Sequence, residues 1–378
     1  MHSRIGVFLS PVHETGQDPH LAIRRNLDLV DLLDDLNVDE AWFGEHHSLG
    51  WGLIGAPETM IAAASQRTRQ IKLANGVVPL SGHHPFHVAS RAIHLDHLTR
   101  GRYILGVGPG VPFDAGTFGL EPGVQRTRLA EALPTVLELV NGEARVTDKT
   151  DWYQLRDAKV QLPRFTPDGI EVAMATSGTS MSSPRLAGQY GLSMVSFALP
   201  FALMQPGAPQ HIDLAKQWGH AEEAAEEHGN TMRRENWRIA LPVHVAETRE
   251  EAFDDVREGY DRWLFEYFGR VAGREVLSPD VPRSKVLEAR VEAGGALVGS
   301  VEDVVNGIRR LHERTGGFGA LLVYVADWTT WEKTNRSMQL LARYVAPQIT
   351  GTAGRPQEAV DWAIASRERQ LQATANRS

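Results

Sequence analysis

A regular alternation of short β-like runs and amphipathic helical stretches is the feature that most constrains the fold of this 378-residue chain. The short runs are apolar, as buried strands are, and the stretches between them carry apolar residues at helical spacing. About eight such units follow one another in residues 5–345, the number that a closed (β/α)8 barrel requires. The pattern therefore predicts an α/β fold of the TIM-barrel type.

An open, doubly wound sheet is the alternative arrangement for alternating strands and helices. Such a sheet would usually carry a glycine-rich phosphate loop directly after its first strand. Here the first strand-like run, residues 5–9, is followed by Ser-Pro-Val-His-Glu, which is not a loop of that kind. The barrel is therefore the preferred prediction.

Three segments depart from the alternating pattern. Residues 141–168 predict a small β excursion, with β-like runs at 152–155 and 159–162. Residues 270–300 mix glycine, proline and charged side chains and precede no obvious strand, which predicts a long lid-like loop. We expect one barrel domain over residues 1–350 and a tail over residues 351–378 that is partly helical or disordered.

The composition is that of an ordinary soluble globular protein, with 42% hydrophobic and 23% charged residues. A net charge of -8 argues against nucleic acid and against an anionic membrane surface, because both call for a basic footprint. The chain has no cysteine, which excludes disulfides, thiolate nucleophiles and cysteine-ligated metal centres. No apolar stretch reaches membrane-spanning length and no signal peptide is recognisable, so we expect a cytoplasmic protein.

Glu45, His46 and His47 form the leading candidate site. They end an apolar run, and the carboxyl ends of barrel strands are where catalytic groups lie. Imidazoles titrate near neutral pH, which suits general acid–base work. Strand alternation places His46 on the same face as Trp42, so we predict His46 as the acid–base group. We expect Glu45 to orient or charge-stabilise an imidazole. Capping or core histidines, and a solvated carboxylate at the rim, remain the alternatives.

Two further segments point to ligand contacts. Gly76 and Val77, at the end of the third strand, let the backbone approach a flat ligand, although a simple bulge gives the same pattern. Residues 176–183 concentrate hydroxyl groups before a helix, which favours anion binding assisted by the helix dipole. The hydroxyl and cationic groups expected there are those of Thr179, Ser180, Ser182, Ser183 and Arg185.

His83 and His84 precede a helix that begins near Pro85. They could be metal ligands, but no carboxylate with ligand spacing accompanies them. We therefore expect one of them to cap the helix and predict no metal site.

Taken together, several segments resemble the bacterial luciferase-like family of flavin-dependent monooxygenases, in particular its limonene-monooxygenase-like and alkanal monooxygenase α-chain-like members. The resemblance is carried by residues 45–57, 75–85, 94–102, 106–110 and 331–347. It implies a (β/α)8 barrel, reduced FMN as co-substrate, and O2 that reacts through a flavin C4a-peroxide. The implied substrate is a small apolar organic molecule, such as a terpene, an aldehyde or a natural-product intermediate.

The resemblance also implies roles for single residues. His46 matches the histidine that supports catalysis beside the flavin, and the family's non-proline cis peptide falls on Gly76–Val77. The phosphate-binding region falls near residues 180–183. Gly108 stands where the luciferase α-subunit has a reactive cysteine, and Pro109 where it has an arginine. We therefore expect Arg185 to take over the phosphate charge.

The expected partners and alternatives follow from the same resemblance. A separate flavin reductase would supply reduced FMN, and the chain would form a homodimer. Phe8, Trp51 and Phe113 are the expected apolar wall of the substrate site. The alternatives are an F420-dependent oxidoreductase on the same barrel, a non-catalytic partner subunit like the luciferase β-chain and, ranked last, a metal-dependent hydrolase.

Overall fold

The computed structural model describes residues 3–177, 180–198, 213–274, 276 and 281–375. Strands and helices alternate along these residues, as predicted. The strands are β1 (Arg4–Leu9), β2 (Glu40–Phe43), β3 (Lys72–Asn75), β4 (Val78–Pro79), β5 (Tyr103–Gly108), β6 (Val146–Lys149), β7 (Gln154–Ala158), β8 (Glu171–Ser177), β9 (Ser193–Phe197), β10 (Trp237–Val245), β11 (Leu297–Gly299) and β12 (Ala320–Val325).

Helices fill the spaces between the strands. They are α1 (Pro19–Asp35), α2 (Pro57–Arg67), α3 (Pro85–Thr99), α4 (Pro112–Thr117), α5 (Val124–Asn141), α6 (Ser182–Gln189), α7 (Leu214–Glu227), α8 (Arg249–Asp261), α9 (Val286–Glu292), α10 (Val301–Thr315), α11 (Trp331–Leu340), α12 (Ala346–Thr350) and α13 (Gly354–Ala375). Two π-helical segments, Arg262–Val271 and Leu341–Val345, continue α8 and α11.

The parallel sheet closes on itself within the described residues. Its strands pair in the order β1, β2, β3, β5, β8, β9, β10 and β12, and β12 pairs with β1 again, for instance Ala320 with Arg4. The predicted (β/α)8 barrel is confirmed, and the open sheet is excluded.

The barrel interior is filled by inward-facing residues of the strands, one or two from each. Phe8 and Trp42 are the large members of this layer, and alanines on β3, β8 and β10 leave room for them. The intervening residues of β1, such as Ile5 and Val7, pack outward against the helices. The alternation therefore sends Phe8 toward the mouth formed by the carboxyl ends of the strands.

Buried charges lie at the opposite end of the barrel. The Arg238 guanidinium contacts the carboxylate of Glu40 at 2.6 Å and that of Glu171 at 2.8 Å. Burial raises the pKa of Glu171, but the charge of Arg238 and its hydrogen bond outweigh burial and lower the pKa to about 2. This ion-pair network joins β2, β8 and β10 below the site end of the barrel.

The structure corrects the expected β excursion in detail. The β-like runs at 152–155 and 159–162 suggested the two strands, but β6 and β7 form the antiparallel hairpin. A turn between them places Trp152 and Tyr153 before β7, because the backbone N–H of Thr150 donates to the carbonyl of Tyr153 at 3.0 Å and closes the turn. The excursion exists, with its strands displaced toward the N-terminus.

The expectation of a long irregular loop over residues 270–300 is wrong for the second half of that segment, which contains α9 and β11. Val286 and Leu287 are buried in α9, and β11 extends the sheet beside the last residues of β10. The strand β11 can form because β10 is long: its first residues pair with β12 and its last residues pair with β11. Residues 275 and 277–280 lie outside the described residues.

The tail is a helix for most of its described length. Its side chains are exposed where they are described, including the large apolar groups of Val360, Trp362, Ile364 and Leu371. In the described part of the chain, no helix combines the length and the apolar character needed to cross a membrane.

Candidate active site

His46 lies at the barrel mouth in the loop after β2. Its backbone N–H donates to the carbonyl of Ile54 at 3.0 Å, which holds the loop against the segment before α2. Its Nδ1 lies 2.7 Å from Oδ2 of Asp114, a residue of the short helix α4 after β5. The imidazole is about a quarter exposed and Asp114 is buried. Since Nδ1 is engaged by Asp114, Nε2 is the nitrogen available for proton exchange with a ligand.

Asp114 collects donors from the whole loop. Oδ1 accepts from the hydroxyl of Ser48 at 2.6 Å and from the backbone N–H of His47 at 3.0 Å. Burial raises the pKa of Asp114, but the hydrogen bond and charge of His46, with those of Ser48 and His47, outweigh burial and lower it. Asp114 is therefore an ionised acceptor that fixes the orientation of the His46 ring.

Glu45 points away from His46 and is not a solvated rim carboxylate. It is buried, and its Oε1 lies 2.9 Å from Nε2 of His47 and 2.8 Å from Nε2 of His83. Arg91 donates to Nδ1 of His83 at 3.2 Å, so His83 must donate through Nε2 to Glu45. Glu45 thus joins the two loops that carry His47 and His83, and the imidazoles that it contacts are those of these two residues rather than that of His46.

The two histidines before α3 have different functions. His84 is the N-cap of α3, and its Nδ1 accepts from the backbone N–H of Phe86 at 3.3 Å. Burial lowers the pKa of His84, which keeps the imidazole a neutral acceptor. The expected helix cap is confirmed for His84, whereas His83 binds Glu45.

Three strand ends meet in a closely packed backbone surface. The peptide bond between Gly76 and Val77 is cis, as the resemblance implied. A methyl group built on Gly76 would lie 2.5 Å from the ring of Phe8, and one built on Gly108 would lie 2.9 Å from Cγ2 of Val77. The structure therefore brings Phe8, Gly76, Val77 and Gly108 together, and glycine is needed for the close approach.

Aromatic side chains surround this surface. Phe8 stacks on Tyr324 at 5.4 Å between ring centroids and meets the edge of Phe197 at 4.9 Å. Across the mouth, Trp51 packs against Tyr267 of the π-helix Arg262–Val271 at 5.5 Å. Phe8, Trp51 and Tyr267 are all buried, so the mouth has an apolar wall to which two of the predicted residues contribute.

Phe113, the third predicted wall residue, precedes Asp114 and is half-buried. The guanidinium of Arg274 lies over its ring at 5.4 Å from the centroid. Arg274 follows the π-helix, so this segment reaches both Trp51 and Phe113. The π-helix and Arg274, which lies in the first part of the segment expected to form a loop, are the elements found on this side of the mouth.

The hydroxyl cluster lies at the N-terminus of α6, after β8. The hydroxyls of Ser180 and Ser182 are 3.0 Å apart, and no side chain of the described residues caps the helix. Among these residues, the first-turn N–H groups are therefore available to an anion. Ser183 stands in the same turn. Thr179 lies outside the described residues. Arg185 departs from the expectation, because Glu223 and Glu227 of α7 draw its guanidinium away into ion pairs.

Sequence reasoning missed Asp114, His83 as a partner of Glu45, and Tyr267. Asp114 lies 68 residues from His46, and Pro112 before it marks a helix start that the sequence does offer as a signal. Tyr267 lies in what the sequence indicates as the end of one long amphipathic helix. No local pattern shows that this end turns into a π-helix over the mouth.

Comparisons with known proteins agree with this arrangement. The sequence pattern of the luciferase-like monooxygenase family matches residues 3–317. The chain is 44% identical to 4-hydroxyprotoasukamycin monooxygenase of Streptomyces nodosus subsp. asukaensis over 371 residues, and this alignment covers 98% of each protein. It is 41% identical over 350 residues to limonene 1,2-monooxygenase of Rhodococcus erythropolis, which covers 92% of this chain and 87% of the relative.

A solved structure shares the whole architecture. It is the oxygenating constituent of 3,6-diketocamphane monooxygenase from the CAM plasmid of Pseudomonas putida, a type II Baeyer–Villiger monooxygenase in complex with FMN. The match has a TM-score of 0.74 at 26% identity and covers 92% of this chain and 99% of the other. The barrel, the site at its mouth and these relatives establish that the chain is an enzyme, a monooxygenase, and that it belongs to the luciferase-like monooxygenase family.

Proposed function

We propose that the chain is the oxygenating component of a two-component system, which uses reduced FMN and O2 to insert one oxygen atom into a small apolar organic substrate. The observation that carries this proposal is the His46–Asp114 pair at the mouth of a barrel whose neighbouring strand ends form a flat, glycine-lined surface. A separate flavin reductase would deliver reduced FMN, and the working form would be a homodimer.

The residues at the mouth fit FMN in two places. Gly76, Val77 and Gly108 offer backbone and small side chains where a planar ring can approach closely. The uncapped N-terminus of α6, with the hydroxyls of Ser180 and Ser182, offers N–H and O–H donors to a phosphate. The FMN complex of the diketocamphane enzyme supports the same cofactor here.

When bound, reduced FMN supplies the electron pair that allows O2 to give one atom to the substrate and the other to water. The protein's own contribution is orientation, proton control and exclusion of water. His46 is held by Asp114 so that Nε2 can give or take a proton at the mouth. Phe8, Trp51 and Tyr267 form a dry wall that limits escape of reactive oxygen species and accommodates an apolar substrate.

Titration of the purified chain with FMN and with F420, followed by absorbance and fluorescence, tests the cofactor. Turnover is then measured with reductase-supplied reduced FMN and with limonene and carvone in turn, comparing His46→Ala with the exposed control His94→Ala. We expect His46→Ala to lose about 10²- to 10⁴-fold in turnover and to keep FMN binding, because the imidazole acts on protons rather than on flavin affinity. Preferential binding of F420, or His46→Ala turnover equal to that of the control, would contradict the proposal.

A further inference from the structure

The hydroxyl of Tyr267 is a hydrogen-bond donor at the mouth that has no acceptor among the described residues. Tyr267 is 3% exposed, and no residue in the described part of the chain forms a hydrogen bond with its side chain. The neighbouring hydroxyl of Tyr324, by contrast, is 2.8 Å from Oγ of Ser10. The residue is buried as a whole, and its hydroxyl is not among the fully enclosed polar atoms that lack a partner, so it is free to donate to an acceptor on a ligand in the cleft.

The position of Tyr267 relates it to the reacting end of the barrel. The ring of Tyr267 packs against Trp51. Gly52, which follows Trp51 in the chain, approaches His46 so closely that a methyl group added to Gly52 would lie 2.8 Å from Cβ of His46. Trp51 itself is fixed, because its carbonyl accepts from the backbone N–H of His13 at 2.8 Å. Tyr267 is therefore held over the same mouth that His46 faces.

Tyr267 also remains a donor over the whole working pH range. Burial raises the pKa of its phenol. Negative charge on the neighbouring Tyr324 and Asp114 side chains, where they are ionised, raises this pKa further. The π-helix that carries it is a rare element that occurs most often at functional sites.

We propose that the Tyr267 hydroxyl binds a carbonyl oxygen of the substrate, so that the enzyme acts on apolar ring compounds that carry a ketone or enone rather than on plain hydrocarbons. The inference rests on the proposed function and narrows its substrate class. The aromatic wall holds the carbon skeleton, and one directed hydrogen bond fixes which carbon faces the flavin site. Recognition of this kind discriminates against an analogue without the oxygen, because the donor is then left unpaired.

Carvone and limonene test the inference, since they share a ring skeleton and differ in the ring carbonyl. Headspace gas chromatography over protein solutions gives the free concentration of each ligand and hence its affinity, with and without FMN. We expect the wild type to prefer carvone by about threefold to tenfold, as one hydrogen bond allows. Tyr267→Phe should lower carvone affinity to the limonene level and leave limonene affinity unchanged, while the exposed control Tyr344→Phe keeps the preference.

Equal affinity of the wild type for both ligands, absence of carvone binding, or a preference that survives in Tyr267→Phe would overturn the inference. The wild-type preference is informative even if the variant does not fold. FMN titration of the same samples reports on the proposed function separately, because ligand preference is also measured without flavin.

Discussion

Nδ1 of His46 and Oδ2 of Asp114 lie 2.7 Å apart, although the two residues are 68 positions apart in the chain. The loop after β2 supplies the imidazole, and the helix α4 after β5 supplies the carboxylate. Ser48 and the backbone of His47 bind the other carboxylate oxygen, so the pair belongs to a network that fixes one orientation of the ring. The pair is the chemical centre of the proposed site.

Asp114→Asn should separate orientation from flavin binding. The amide cannot stabilise a protonated His46 as a carboxylate does, so we expect turnover to fall by about 10²-fold, within the range of a positioned acid–base group. FMN affinity and thermal stability should change little. Steady-state kinetics with saturating reduced FMN measures the effect, and Asp28→Asn, which alters an exposed carboxylate paired with Arg67, is the control. Turnover equal to the control would remove Asp114 from the mechanism.

The ion-pair network below the site predicts a pH-dependent contribution to stability. Glu171 has its pKa lowered to about 2 in the folded protein, below its ordinary value of 4.5. Its ionised form therefore stabilises the fold above pH 4.5, and this stabilisation is lost as the pH falls toward 2. Glu171→Gln should cost on the order of 3 kcal/mol at pH 7 and progressively less in acid.

Urea unfolding of wild type and Glu171→Gln from pH 7 downward measures this difference. A gap between the two proteins that stays constant across that range would show that the carboxylate charge is not the stabilising element. Restoration of stability by acid in Arg238→Met, where the buried Glu40 and the partly buried Glu171 lose their nearest cation, would support the same network.

Gly106 and Gly116 offer a matched pair of glycine substitutions. A methyl group on Gly106 would lie 2.0 Å from the carbonyl oxygen of Asn75, a backbone atom that cannot move aside, whereas nothing lies within 4 Å of one on Gly116. We expect Gly106→Ala to lose about 3 kcal/mol of unfolding free energy. Gly116→Ala, in a helix, should be neutral or gain a few tenths of a kcal/mol, roughly as helix propensities imply. Chemical denaturation measures the unfolding free energy of both variants. Equal values for Gly106→Ala and Gly116→Ala would show that β3 and β5 can separate locally.

The exposed helix α13 predicts a tolerated truncation. Removal of residues 351–378 should change the unfolding free energy by less than about 0.5 kcal/mol, since the described side chains of α13 are not buried against the barrel. A chain ending at Leu340 should instead fail to fold, because it lacks the buried Val345 and Ile349. A large loss of unfolding free energy on removal of residues 351–378 alone would show that α13 packs against the barrel or a second subunit in solution.

The barrel could be predicted from the sequence because each strand is short, apolar and bounded by a helix of clear period. The last strand, residues 320–325, was predicted at the observed bounds. The strands of the hairpin were predicted too far along the chain, because residues 146–162 show only weak alternation of polar and apolar side chains. The turn at Thr150–Tyr153 depends on hydrogen bonds that no sequence pattern indicates. The strand β11 was missed because it has only three residues and forms only where β10 extends beyond the end of its pairing with β12.

The candidate site could be predicted in part for a related reason. His46, Gly76 and Gly108 stand at strand ends, which the barrel geometry brings to one mouth. Asp114 and Tyr267 reach that mouth from a short helix and a π-helix, whose positions depend on tertiary packing. Arg185 has the charge expected of a phosphate ligand, but the carboxylates of α7 bind it, which only the structure shows.

The most direct test of the central claim follows the oxygen atom itself. The purified chain, a flavin reductase, FMN and NADH are supplied with isotopically heavy dioxygen and with limonene or carvone, and mass spectrometry reads the label in the product. We predict one heavy oxygen atom in the product of the wild type and only trace product with His46→Ala. A product without heavy oxygen, or equal labelled product from His46→Ala, would contradict a flavin monooxygenase that works through His46.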